Sequence, residues 1–299
     1  MKLNKKQFLG PPAEITDFKK AKVVVVPFPY EGGISYGAGT GKAPEAVLDA
    51  SYFVEFYDEV LDCEPMQVGI STIEAPVMPD TPEKMIESLQ KTTGDLLKQD
   101  KFVVVIGGDH SISSGFFQAL VEKYGSLSVI QLDAHADLRD SYEGSPLSHA
   151  CVMSRIREHT SDTLQIGIRS ISKEEMERVR SEEIALYTMH DMRFGDFDLD
   201  EVLSELPDPV FITLDVDAFD WSVIRSTGTP EPGGFLWDEA LDILQQIFEN
   251  KEVVGFDVVE LSHNESDPNS PFAIAKLIYK MIGFKYHAVL NDETAESDD

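Results

Sequence analysis

Four short polar clusters follow apolar runs in this chain, and together they hold enough hard donors for two metal ions. Gly107-Gly108-Asp109-His110-Ser111 follows the run 103–106, Asp133-Ala134-His135-Ala136-Asp137 follows 127–132, Asp215-Val216-Asp217 follows 210–214, and Glu260 ends 253–259. Side chains of an extended segment alternate faces, so Asp133, His135 and Asp137 are expected to project to one side, and Asp215 with Asp217 likewise. His110, after two glycines that let the backbone turn sharply, offers a sixth donor. Two imidazoles and four carboxylates exceed a closed structural zinc site, and four carboxylates packed together repel unless cations lie among them. Two divalent ions answer both conditions. A donor set rich in carboxylate favours Mn²⁺ over Zn²⁺, while affinity order alone leaves Ni²⁺, Co²⁺ and Fe²⁺ open. Each cluster by itself reads as a turn or helix cap, and it is their order and shared position that carry the chemistry. Asp109 and Asp140 read as helix caps or as supports behind the ligands, and Asp220 as a support or a simple loop residue.

The elements that must position these residues are visible as an alternation. Short β-branched runs, AKVVVVPF, FVVVIGG, LSVIQLD, TLQIGIR, VFITLD and VVGFDVV, alternate with amphipathic stretches such as PEKMIESLQKTTGDLLKQ and DEALDILQQIFEN. Apolar runs bounded by Gly, Pro or Asp are the pattern of buried parallel strands, and the stretches between have helical spacing. With weaker strands expected at 66–70 and 184–188 the total is about eight, which predicts a large αβα sandwich or, as the alternative, a (β/α)8 barrel. Both architectures bind ligands at the carboxyl ends of their strands, where the polar clusters fall.

In this order, GGDHS, DAHADLRD, SHAC, DVDAFD and TGTPEPGG resemble the ureohydrolase family of dimanganese enzymes, most closely its agmatinase branch, over residues 22–284. The resemblance implies a three-layer αβα sandwich with a mostly parallel eight-stranded sheet, a homo-trimer or homo-hexamer, and two Mn²⁺ ions per subunit. His110, Asp133, Asp137 and Asp215 would hold one ion and His135, Asp133, Asp215 and Asp217 the other, with Asp133 and Asp215 bridging. It implies hydrolysis of a guanidinium group, here agmatine to putrescine and urea, by a metal-bridging hydroxide. Asp137 would relay the hydroxide's proton, His149 would shuttle one to the leaving amine, and Glu260 would face the guanidinium. Such a site is net negative and suits a small cationic guanidino substrate. The arginase loop before the shuttle histidine is absent, the stretch here being SYEGSPLSHAC, and Glu143 within it is the expected partner of a terminal ammonium. Aminopropyl-agmatine, guanidinobutyrate, arginine and guanidine are the alternative substrates, and a catalytically silent metal-binding homologue is the remaining one.

The loop 220–228 departs from the family pattern, because Trp221 and Arg225-Ser226 stand where relatives commonly carry Pro and Pro-Gly. That places the wall of the substrate entrance, not the metal donors, in question. Composition bounds the rest. With 299 residues, 42% hydrophobic and 26% charged, the chain reads as one globular domain over 1–299, with an N-terminal extension at 1–20. The last nine residues, NDETAESDD, carry five acids and read as a flexible, solvated tail at 291–299. A net charge of −29 repels phosphate backbones and anionic headgroups, so neither a nucleic acid nor a membrane is expected as partner. Cys63 and Cys151 are too few for a disulfide framework, and without a secretory signal the expected location is the cytoplasm. Cys151 reads as a buried structural thiol, and Phe53, Phe56 and Tyr57 as a helically spaced core or interface group.

Overall fold

The computed structural model describes residues 1–33 and 35–297, with side chains as far as 291. Its centre is an eight-stranded sheet: β1 Val23–Phe28, β2 Ile70–Thr72, β3 Phe102–Gly107, β4 Ser128–Leu132, β5 Thr163–Ile168, β6 Ala185–Thr188, β7 Val210–Asp215 and β8 Val253–Val259. Every pairing is parallel, in the order β2-β1-β3-β8-β7-β4-β5-β6. The sheet is open, with β2 and β6 at its edges, so the sandwich holds and the barrel does not.

Helices cover both faces, as parallel strands linked by crossovers require. Among the described residues they are α1 Ala43–Ser51, α2 Pro82–Leu97, α3 Ser113–Tyr124, α4 Val152–Arg157, α5 Lys173–Ser181, α6 Met189–Phe194, α7 Leu199–Glu205, α8 Trp237–Asn250 and α9 Asn269–Ser297. Period-two alternation divides the strands between two cores. Val23 and Val25 pack with residues of α1, α8 and α9, while Val24 and Val26 pack with residues of α2, α3 and α4. No helix among the described residues is long and apolar enough to cross a membrane.

Three details differ from the sequence reading. The strand expected at 66–70 is instead a 3-10 turn, Pro65–Val68, followed by the three-residue β2. Pro65 opens that turn, and Gly69 leaves it at φ +79°, where a Cβ would lie 2.7 Å from the Ala21 Cα. Phe53, Phe56 and Tyr57 do not share a helix face, because α1 ends at Ser51; Phe53 and Tyr57 are exposed and Phe56 packs against the core. The acidic stretch at 291–299 begins inside α9, whose helical backbone runs to Ser297. The segment 1–20 lies against the edge strand: Leu3 bridges Ile73, and the Phe8 N–H donates to Thr72 Oγ1 at 2.9 Å. Covering an edge in this way blocks its unpaired backbone groups.

The four strands that precede the polar clusters, β3, β8, β7 and β4, are neighbours in the middle of the sheet. Their carboxyl ends are level, with Ile106 paired to Val258, Asp215 to Val259 and Leu132 to Leu214. The clusters therefore converge above the centre of one sheet edge, where chain connections diverge to either side.

Candidate metal centre

The turn after β3 sets the first donor. Gly108 lies so close to Tyr30 that a Cβ there would be 1.7 Å from its carbonyl oxygen. Asp109 caps the following 3-10 turn through the Ser111 N–H at 3.1 Å and also accepts from the Gly32 and Gly33 N–H groups at 2.8 Å each. It is thus the cap and support that its position suggested. His110 is fully buried, and its own N–H donates to Glu260 Oε1 at 2.7 Å. Its Nδ1 lies 3.1 Å from Asp133 Oδ2, 3.1 Å from Asp137 Oδ2 and 3.5 Å from Asp215 Oδ2. Its Nε2 sits 2.8 Å from Thr213 Oγ1, which is itself 2.8 Å from Asp257 Oδ1. With the hydroxyl donating to Asp257, Thr213 Oγ1 accepts from Nε2–H, and Nδ1 then turns a lone pair toward three carboxylates.

The second donor set follows β4. Asp133 Oδ1 accepts the His135 N–H at 2.6 Å and Oδ2 accepts Gln131 Nε2 at 2.7 Å, so the carboxylate is held from both sides. His135 Nδ1 is 2.9 Å from Asp217 Oδ2 and 3.6 Å from Asp133 Oδ1. Asp217 is aimed by the Ala134 N–H at 2.9 Å, and Asp215 Oδ1 accepts the Asp217 N–H at 2.8 Å. Two triads of potential ligand atoms result, His110 with Asp133 and Asp137, and Asp133 with His135 and Asp217. Asp133 is common to both. Asp215, expected to bridge as well, is buried beside His110 and belongs to neither triad.

Convergence does not come from strand alternation, as the spacing had suggested. β4 ends at Leu132, Asp137 adopts a left-handed backbone at φ +52°, and Asp217 stands in a 3-10 turn. The aspartates reach one point because backbone N–H groups and irregular turns aim them, at the cost of a strained non-glycine conformation.

Electrostatics demands a cation here. Burial, then the neighbouring carboxylates, pushes Asp137, Asp215 and Asp217 above the ordinary range; Glu260 is raised by burial and by Asp109. Burial would raise Asp133 as well, but the imidazoles of His110 and His135 beside it hold it low. Burial lowers the imidazoles, yet the carboxylates outweigh it, taking His110 well above its usual value and His135 up to about 12. Without metal, protons must occupy the spaces between these donors. The buried His110 Nδ1 has no hydrogen-bond partner, and a divalent ion beside it would satisfy it and three carboxylates together. The donors present therefore suit metal ions.

A cavity of about 280 Å³ opens above the donors, lined by His135, Asp137, Asp215, His149, Tyr142 and Glu175 among others. His149 begins a 3-10 turn, Nδ1 is 3.8 Å from Glu260 Oε1, and Nε2 is buried without a hydrogen-bond partner. Ser148 stands at the N-cap position of that turn without a side-chain hydrogen bond. Glu260 takes a left-handed backbone at φ +66° and is 4% exposed. It does not line the cavity, meeting it through His149. Glu143 lies apart from the site: it occupies the exposed turn between Tyr142 and Ser145, whose backbones pair, and does not line the cavity. The glutamate that does so is Glu175, pinned by the capping box that starts α5.

Of the other residues singled out, Asp140 is exposed and 3.5 Å from Arg178, and Asp220 ties its loop together through the Ser222 and Gly233 N–H groups. The divergent loop is anchored without its prolines. The Arg225 and Ser226 N–H groups donate to Ser270 Oγ, and Ser226 Oγ donates to Asp267 Oδ2 at 2.7 Å. Neither Trp221 nor Arg225 lines the cavity. Thr213, Gln131 and Asp257 escaped sequence reasoning, although each is a polar residue inside an apolar strand run, which was the available signal. Arg169 also escaped it; its guanidinium binds the carbonyls of Asp217, Glu231 and Pro232, locking the ligand turn to the loop beyond it.

A family model described as the arginase family matches residues 21–283. The chain belongs to the arginase family. It is a ureohydrolase, a hydrolase of amidino C–N bonds. It is 38% identical over 288 residues to the N(1)-aminopropylagmatine ureohydrolase of Synechocystis, an alignment covering 93% of this chain and 94% of that one. It is 31% identical to the agmatinase of Pyrococcus horikoshii, with 89% and 93% covered. The structure of the agmatine ureohydrolase of Thermoplasma volcanium superposes with a TM-score of 0.84 at 26% identity, covering 95% of each chain. The arginase-like sandwich expected from the motifs is therefore the observed one.

Proposed function

We propose that this chain hydrolyses N1-aminopropylagmatine, consuming water and releasing urea and the corresponding triamine. The observation that carries the reaction class is the pair of donor triads sharing Asp133, whose members His135 and Asp137 line a cavity that also presents His149. The substrate follows from the greater likeness to the Synechocystis relative than to the Pyrococcus one. Agmatine is the second reading, favoured by the cavity's small volume of about 280 Å³. We infer that the ions are Mn²⁺, two per subunit, and that the subunits form a homo-trimer or hexamer, which light scattering in solution tests.

Two divalent ions, when bound, would supply hydroxide at neutral pH and offset the repulsion among the carboxylates. The chain's residues do the rest. His110, Asp133, Asp137 and Asp215 would hold one ion, and Asp133, His135, Asp215 and Asp217 the other. The guanidinium carbon must lie next to the donors, which leaves the departing nitrogen near His149. We read the Nε2 of His149, buried and lacking a hydrogen-bond partner, as the group that gives that nitrogen its proton. Glu260, 3.8 Å from Nδ1, orients the ring. Asp137 lines the cavity and can accept a proton released from the attacking water.

The test is urea release by the Mn²⁺-loaded protein offered N1-aminopropylagmatine, agmatine, guanidinobutyrate, arginine and guanidine side by side. The expected result is the highest kcat/KM for N1-aminopropylagmatine. Urea from agmatine alone would replace this reading with the second one, and no urea from any would overturn both.

A further inference from the structure

The cavity above the donors is not isolated. A second cavity, of about 570 Å³, adjoins it, and Arg139, Ser172 and Glu175 line both. The first cavity is at or below the range of about 300–1,000 Å³ that small-molecule sites usually occupy. A guanidino chain longer than agmatine by three carbons and an ammonium group must go further, and the shared wall is the direction in which space continues.

Glu175 is a stationary part of that wall. It is 6% exposed, its Oε1 accepts the Leu138 N–H at 3.0 Å, and its Oε2 accepts the Ser172 N–H at 2.9 Å. Arg139 is the more exposed part. Its Nη2 is 3.8 Å from Glu175 Oε2, beyond hydrogen-bond distance, and its side chain is 40% exposed. The guanidinium also lies over the Tyr142 ring, 5.4 Å from the centroid, and that ring meets His149 edge-on. A partly exposed pair at this distance is weak and exchangeable. Beyond it, the second cavity presents Asp140, Glu174 and Glu182 against Arg178, an excess of acid.

We propose that Arg139 and Glu175 form a partition that selects substrates by the charge and length of their tails. The terminal or secondary ammonium of a guanidino-polyamine displaces Arg139 from Glu175, and the rest of the tail enters the second cavity. This rests on the guanidino-polyamine reading above. A guanidinium compound whose alkyl tail is uncharged cannot displace Arg139 and stays within the first cavity.

The experiment measures KM and kcat for N1-aminopropylagmatine, agmatine and butylguanidine. Arg139→Gln is expected to lower the ratio of KM for aminopropylagmatine to KM for butylguanidine about fivefold, and Glu175→Gln to raise it about tenfold, with kcat changing less than KM. Because Glu175 also belongs to the capping box of α5, the double change of two exposed acids, Asp140→Asn with Glu174→Gln, provides a second variant, expected to raise the same ratio. Calorimetric binding of the triamine product to metal-free protein adds a readout apart from turnover, and Glu175→Gln should weaken it. Urea released from aminopropylagmatine by the wild type with an unmoved ratio in all variants overturns the partition and leaves the function standing. No urea from aminopropylagmatine in either the wild type or Arg139→Gln overturns both.

Discussion

At the scale of single residues, the centre depends on which nitrogen of His110 is free. Thr213, pinned by Asp257, takes one nitrogen and leaves Nδ1 for the carboxylates' side. Thr213→Val removes that hydrogen bond with little change in volume. Its metal affinity is expected to fall about 10–100-fold with secondary structure intact, as metal content after dialysis and circular dichroism would report. His149→Phe should do the reverse, retaining both ions while kcat drops by about 10²-fold or more. Loss of metal from that variant would show that His149 supports the donors instead of moving a proton. Five of the six expected donors, all but Asp215, fall in the two triads, and they stood out in the sequence because turn-making needs no histidine at those spacings. Thr213 and Asp257 did not, since the Thr213–Asp257 contact joins residues 44 apart in the chain. Glu143 and Glu175 are both acids beside loops, and only tertiary packing buries Glu175 in the wall.

At the scale of elements, seven of the strands could be read from their apolar runs, but their order could not. Runs of valine and isoleucine state that a strand is buried on both faces, not which neighbours it has. The alternation argument also gave the right convergence for the wrong reason, because the donors sit in turns whose geometry is set by contacts with other strands. One such turn is testable. Gly108→Ala would drive a methyl into the Tyr30 carbonyl, and the end of β3 must move to relieve it. The expected loss is about 3 kcal/mol or more in urea denaturation, with metal content reduced because His110 moves too. Unchanged metal content alongside that loss would show that the turn and the donor are mechanically independent.

At the scale of the whole molecule, metal and pH act on one balance. Asp137, Asp215, Asp217 and Glu260 have raised values in the metal-free fold, as do His110 and His135. A group raised on folding contributes stability that is present below its unfolded value and lost as pH climbs through its folded one. These six therefore weaken the metal-free fold as pH rises from about 4 for the acids and from about 6.5 for the imidazoles. Asp133, held low, acts oppositely, its contribution present above about 3.9 and lost as pH falls. Calorimetry should thus find the Tm gap between loaded and metal-free protein widening between pH 5 and pH 9, and a constant gap would contradict it. The thiols report on the same fold, since both cysteines are free and buried and burial pushes Cys151 up to about 11. A thiol-reactive dye at pH 8 should label neither cysteine until denaturant is added.

β8, the last strand to be synthesised, is inserted between β3 and β7. Until it arrives, the sheet exists as two halves, β2-β1-β3 and β7-β4-β5-β6, with His110 on one and the aspartates on the other. Before that, only the triad of Asp133, His135 and Asp217 lies within one half, so the triad of His110, Asp133 and Asp137 marks a polypeptide whose translation has passed residue 259. A fragment ending at residue 250 should take up fewer metal ions than the full chain, which makes the ion beside His110 a receipt for a finished sheet.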